Sequence, residues 1–160
     1  MLVITGRPLD QGIQPMKFTD LKTNPAAANE GRWQKDIPGM GNIELFVRST
    51  NNPEYRRRMQ AMARALPPSK KKGGSIDPVE MDRINGVCLL DHSLSDWKNV
   101  EGENGEAVPY SYDQAKVFLT LPEWSFFRDG VFVAASTVEE EDREADAATE
   151  KNSAAPSAIA

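Results

Sequence analysis

Apolar and polar positions change period several times along this chain, and each change marks an element. Trp33 to Ile37 and Asn42 to Ser49 flank Pro38, Gly39, Met40 and Gly41, a turn in which glycine takes positive φ without strain. In the second segment Ile43, Leu45 and Val47 alternate with Glu44, Phe46 and Arg48, the period-two signature of a strand with one buried face. The two segments are read as a β-hairpin, and Phe46 on the opposite side calls for a second layer or a partner. Asn52 followed by Pro53 is a helix start, with Asn as cap and Pro at a first position that needs no donor. Tyr55, Met59, Met62, Ala63 and Leu66 follow at helical spacing, up to Pro67 and Pro68.

Asp77, Pro78 and Glu80 read as a capping box for a second helix, whose inner face would be Val79, Ile84, Val87, Leu90 and Leu94, ending near Asp96. Residues 101–107 form an acidic, glycine-containing turn. Ser111 and Gln114 make a further capping box, opening a short helix through Ala115, Phe118 and Leu119. Pro122 then stands as the first residue of a last helix, in which Trp124, Phe127, Val131, Ala134 and Val138 form an apolar stripe. The fold class is α+β: an N-terminal β-hairpin or small sheet, then about four helices, then a disordered acidic C-terminal tail.

Composition locates the boundaries. A chain of 160 residues with 39% apolar and 27% charged positions suits one modest domain. Residues 1–15, with Gly6, Pro8, Gly12 and Pro15, read as a flexible leader; residues 17–30 read as loop with at most a short helical turn. Residues 16–138 read as the single domain. Residues 139–160 carry seven acids against two bases, which accounts for the whole net charge of −5. Without an aromatic residue this tail buries too little to offset the entropy of ordering, and disorder is expected beyond about Asp142. Opposite charge gathers mid-chain, where Arg56, Arg57, Arg58, Arg64, Lys70, Lys71 and Lys72 fall within seventeen residues. Arg56 to Arg58 fan around a helix, about 100° apart, and Lys70 to Lys72 sit in a flexible loop.

Candidate chemistry is sparse. One cysteine (Cys88) and one histidine (His92) allow neither a disulfide framework nor a Cys/His zinc site. Asp91, His92 and Ser93 are adjacent on a helix and project about 100° apart, so they cannot hydrogen-bond in series as a triad. Lys72, Gly73, Gly74 and Ser75 run in the wrong order for a phosphate-binding loop. Cys88 falls on the inner helix face, as a buried structural thiol would. No apolar stretch is long enough to span a bilayer, and no signal peptide is apparent. No catalytic residue, cofactor or metal ligand is therefore assigned, and the class of function left is binding.

One stretch carries a resemblance. Leu90 and Asp91, then Asp96, Trp97, Lys98, Asn99 and Val100, an acidic Glu-Gly-Glu-Asn-Gly turn, and Ala107, Val108, Pro109, Tyr110, Ser111 and Ala115 resemble the tail assembly chaperones of long-tailed (siphovirus-like) bacteriophages. Ile43 to Val47 followed by Asn52, Pro53, Glu54, Tyr55 and a basic helix is similar to the first half of that family. Pro122, Phe127, Arg128 and Val131 are similar to its last helix. The leader and the long loop from Pro67 to Ser75 depart from the pattern. Trp97, Pro109, Tyr110 and Ser111 are the motif residues; each also has a packing or capping explanation, so the resemblance speaks for fold first.

The resemblance implies a non-virion factor of the host cytoplasm that binds the tape measure protein and keeps it soluble until the tail tube polymerises. Contact with the major tail tube protein and self-association are compatible with that role; membrane and nucleic acid are not expected partners. Phe46, Arg56, Arg57, Met59 and Met62 are the candidate partner-binding residues, core packing being the first explanation of the two methionines. The family often makes a longer product by ribosomal frameshifting, and Lys151 followed by Asn152 is compatible with a slippery run of adenines. The alternative is a structural tail or connector subunit retained in the virion. A weaker alternative is a nucleic-acid adaptor using Arg56 to Arg58 and Lys70 to Lys72.

Overall fold

The computed structural model describes residue 15, residues 17–21 and residues 29–153. The leader, apart from Pro15, and the last seven residues of the acidic tail lie outside the described residues. In chain order the elements are β1 (Arg32–Gln34), β2 (Glu44–Val47), α1 (Pro53–Ala65), β3 (Lys71–Lys72), β4 (Ser75–Ile76), α2 (Pro78–His92), β5 (Leu94–Lys98), α3 (Tyr112–Thr120) and α4 (Ser125–Ser153). Single 3-10 turns occupy Phe18–Leu21, Pro68–Lys70 and Pro122–Trp124.

The α+β class holds: the hairpin is the start of a three-stranded antiparallel sheet of order β1-β2-β5. Trp33 pairs with Phe46 and Gln34 with Leu45 across the hairpin, whose turn uses Gly39 and Gly41 at φ 78° and 58°. On the far side of β2, Leu45 pairs with Trp97 and Val47 with Leu94. These four are buried, and the helices cover them: α4 lies against β1 and β2, α2 against β5, and α3 against α2 and α4. Burying each large side chain of this layer contributes roughly 1.5–3 kcal/mol.

The third strand is the main departure from the sequence reading, which carried the second helix through Leu94 to about Asp96. The helix ends at His92, with Ser93 as its C-cap, and the chain turns into β5. A bulge explains the misreading. Phe46 faces Asp96 and Val47 faces Leu94, so Ser95 is an extra residue on β5. The inward residues Leu94 and Trp97 are thereby three apart, a helix-like spacing in a strand.

All three caps stand, but among the described residues neither capping box closes: Gln114 meets Ser111 through its backbone amide alone. The Asn52 side chain accepts from the Tyr55 amide at 2.9 Å and Ser111 accepts from that of Gln114 at 3.1 Å. Asp77 caps α2 by accepting from Val79 at 2.9 Å, but Glu80 does not close the box: its carboxylate pairs with Arg83 at 2.9 Å, while the Asp77 amide donates to the Lys70 carbonyl. Val79, assigned to the inner face, is 74% exposed, because the second residue after the cap points away from the packed side of α2.

Lys71 and Lys72, expected in a loop, form a short hairpin with Ser75 and Ile76. Gly73 and Gly74 both have positive φ (59° and 80°), the requirement of a tight two-residue turn whose twist matches its strands. Among the described side chains, Val138 is the last buried one. The α4 backbone is helical as far as Ser153. Ala, Glu and Lys in this run are strong helix formers, which propagate a helix already nucleated on the core.

Close backbone approach makes Gly86 a test of the helix layer. A Cβ there would strike the backbone carbonyl oxygen of Leu119 on α3. Gly130 on α4 is also crowded, but by the flexible end of the Met40 side chain. Gly86→Ala is expected to destabilise by about 1–3 kcal/mol, despite the better helix propensity of Ala. Gly130→Ala should stay within about 1 kcal/mol of the parent. Denaturant midpoints of the two variants test the contrast; equal losses would contradict it.

Asn52 supports a second test. Fully buried, it caps α1 and its amide nitrogen donates to the carbonyls of Ser49 (2.6 Å) and His92 (3.0 Å), tying α1 to the end of α2. Aspartate is an equally good N-cap but supplies neither donor. Asn52→Asp should therefore cost about 2 kcal/mol or more in chemical denaturation, where capping alone predicts no loss.

Candidate functional site

The motif residues assemble at the centre of the molecule. Trp97 on β5 is 4% exposed, and its indole N–H donates to the Val108 carbonyl at 2.7 Å. Its ring meets Tyr110 at 5.0 Å, Phe118 at 5.6 Å and Phe127 at 5.9 Å between centroids. Phe118 in turn meets Phe127 at 5.1 Å and Trp124 at 4.6 Å. The cluster fastens β5, the segment 108–110, α3 and α4 together. Tyr110 is half-buried, which raises its phenol pKa, and nearby Asp96 adds to the rise. Pro109 is exposed and Ser111 is the α3 cap.

The candidate partner-binding residues lie on two elements. Phe46 is half-buried on the outward side of the sheet, its ring edge-on to Trp33 at 5.4 Å and seated over Gly31. The Lys98 ammonium stands 4.0 Å from the Trp33 ring centroid, and Glu44 pairs with Lys98 across the strands. Arg56 and Arg57 are exposed on α1, where Arg56 donates to the Asn51 side chain at 3.3 Å. Met59 and Met62 are half-buried and pack against the core.

Other exposed apolar side chains stand out from the sequence reading. Phe126 is 89% exposed on α4, Val133 lies two turns further on the same side, and Phe132 sits beside Val133. Val117 on α3 and Leu121, the residue that ends that helix, are also exposed, as is Trp124. Trp124 had been placed on the inner stripe; it belongs to the 3-10 turn before α4, so it covers Phe118 from the rim and stays 41% exposed. The signal for this surface was present in Phe126–Phe127 and Val131–Phe132–Val133, where apolar residues are consecutive and exceed what one buried stripe needs. Behind this surface Arg128 is 8% exposed and reaches Asp82 on α2 at 3.4 Å.

Asp91, His92 and Ser93 have separate structural partners. Asp91 accepts from the Tyr112 hydroxyl at 2.8 Å, the His92 carbonyl accepts from Asn52, and the buried Ser93 hydroxyl donates to the Arg48 carbonyl at 2.7 Å. On β2's outgoing end, Arg48 also holds Glu54 at 2.9 Å and keeps its carboxyl below the usual range, the hydrogen bond being the larger cause. Among the described residues, no cluster of three His, Cys, Asp or Glu is placed to hold a metal, and no helix is long and apolar enough to cross a membrane.

The comparisons with known proteins bear on this arrangement. A family model described as the YdaY prophage protein matches residues 50–152, well over half of the chain. The chain belongs to the YdaY prophage protein family. It is therefore phage-derived, and the matched span contains α1, α2, α3, β5, the aromatic cluster and α4 up to residue 152. No match is found among curated proteins or among solved structures.

In this YdaY-family protein two buried groups with raised pKa lie one on α1 and one on α2. Cys88 is fully buried, and burial pushes its thiol up from 9.0 to about 11. Tyr55, also buried and with no hydrogen-bond partner on its hydroxyl among the described residues, is raised further above 10.0 by burial and then by Cys88. Both bind their protons more tightly folded than unfolded. Their stabilisation is complete below about pH 9 and is lost as pH rises toward 11 and beyond. Guanidinium midpoints should fall between pH 8 and 10.5, with the thiol contributing about 2–3 kcal/mol when fully expressed. A Tyr55→Phe/Cys88→Ala variant should show a shallower fall; an unchanged slope would refute the assignment.

Proposed function

We propose that this phage-derived protein is a tail assembly chaperone that binds the tape measure protein and keeps it soluble until the tail tube polymerises around it. The observation that carries the reading is the apolar outer side of α4, where Phe126 is 89% exposed with Val133 on the same side and Phe132 adjoining. A side chain of that size left in water forfeits roughly 2 kcal/mol or more of burial, so a partner that covers it gains correspondingly. A long helical rod with apolar faces is a geometrically suitable partner, since helix faces pack through residues at this spacing. The resemblance to tail assembly chaperones supplies the choice of tape measure, and the prophage family supplies the setting. The acidic run on the distal half of α4 would keep the complex dispersed by net charge.

Co-expression with the tape measure protein of the same phage should raise the soluble fraction of that protein and allow co-purification. Phe126→Ser combined with Val133→Ser should abolish most of the gain while leaving the thermal midpoint close to the parent, because both side chains already face solvent. Unchanged solubility together with no co-purification would reject the chaperone. Abundant peptides of this chain in purified particles would instead support a structural tail subunit.

A further inference from the structure

Two surfaces of opposite sign are left on separate parts of one copy. Arg57 and Arg64 on α1 are seven residues apart, hence on one side and roughly 10 Å apart along the axis. Both are exposed, with Arg58 beside Arg57. The Lys71 ammonium reaches back to the Arg64 carbonyl at 3.4 Å, bringing the β3–β4 hairpin and exposed Lys72 to the same end of α1. The single acid of α1, Glu54, is taken by Arg48, and Lys70 is only loosely engaged by Glu80 at 4.0 Å.

The acidic counterpart is the distal half of α4. Glu140, Glu141 and Glu144 are exposed, and residues 139–150 contain seven acids. Gln34 donates to Glu141 at 3.1 Å, which directs the start of this half along the β1 side of the sheet. α1 packs on α2 instead.

We propose that the acidic half of α4 from one copy docks along the basic face formed by α1 and the β3–β4 hairpin of a second copy. Seven bases in residues 56–72 meet seven acids in residues 139–150; the acids and Arg56, Arg57, Arg58 and Arg64 are carried on helix, and Lys70 to Lys72 on the adjoining 3-10 turn and hairpin, so several pairs can form along one contact. Number matters because one exposed ion pair contributes little. The two surfaces are different, so the contact is heterologous and each docked copy offers a fresh face to the next, giving a ring or an open chain of subunits. Phe126 and Val133, on the proximal half of α4, stay outside the contact. This assembly stands independently of the chaperone reading.

Sedimentation velocity of the full chain tests it. Association should rise with protein concentration at low ionic strength and vanish near 1 M salt, where the Debye length is about 3 Å. Arg57→Glu/Arg64→Glu and Glu140→Lys/Glu144→Lys should each abolish association alone, with unchanged thermal midpoints as the folding control. Mixing the two charge-reversed proteins should restore it, because each then carries one face that matches the other. A monomer at every concentration in low salt, association that survives both reversals, or a mixture that stays monomeric would each overturn the proposal. So would binding of duplex DNA lost in Arg57→Glu/Arg64→Glu without any self-association, which would assign the basic face to nucleic acid.

Discussion

Burial of one indole, Trp97, is the constraint on which the arrangement depends. It sits in the last strand of the sheet, yet its contacts are with the segment and helices that follow. Its N–H has one place to go, the Val108 carbonyl, which fixes the return of the chain after the acidic turn. That return is also pinned by the Val108 amide on the Val100 carbonyl at 2.7 Å and by the Glu101–Ala107 bridge. With the turn closed, Ser111 is delivered as a cap, α3 starts, and Phe118 arrives on the indole. A smaller apolar residue at 97 would lose both the shared aromatic contacts and the single buried donor, so helices and sheet would come apart at the same point.

Sheet and helices are correspondingly interdependent. The segment that defines the prophage family begins at residue 50, after β2, but β2 is the central strand and pairs with β5 inside the matched span. Leu45 lies opposite Trp97 and Val47 opposite Leu94. Without β2 the inward side of β5 would still be covered by α2, but its edge would expose unpaired backbone groups. The hairpin is thus part of the folded unit even though the family match does not include it.

What was legible in the sequence follows from how local each signal is. Asn52–Pro53, Asp77–Pro78 and Ser111 gave their helix starts correctly because a cap is written within three residues. The alternation of Leu45 and Val47 was equally local. β5 was not legible, since its bulge replaces the two-residue period by a three-residue one, and only its partner strand reveals the extra Ser95. The Lys72–Gly73–Gly74–Ser75 hairpin reads as loop in the sequence because its strands are only two residues long, too short to show an alternating pattern. For the candidate surface the limit was of another kind. Periodicity identified the buried stripe of α4 through Val131, Ala134 and Val138, but whether the surplus residues Phe126, Phe132 and Val133 meet a neighbour or water depends on which elements pack there.

α4 therefore carries two different surfaces along one rod. Its proximal half is held from inside by Val131, Ala134 and Ala135 and shows apolar side chains outward; in its distal half the described side chains after Val138 are exposed, and the sequence is dominated by acids. A helix that outruns its core loses tertiary support, so its distal half persists through intrinsic propensity and through Gln34 on Glu141. Seven acids on such a half repel one another and gain from any cationic surface that meets them. The apolar half gains from a greasy one. The two preferences thus sit on successive stretches of a single helix, Phe126 to Val133 and then residues 139–150, and are separable by substitution.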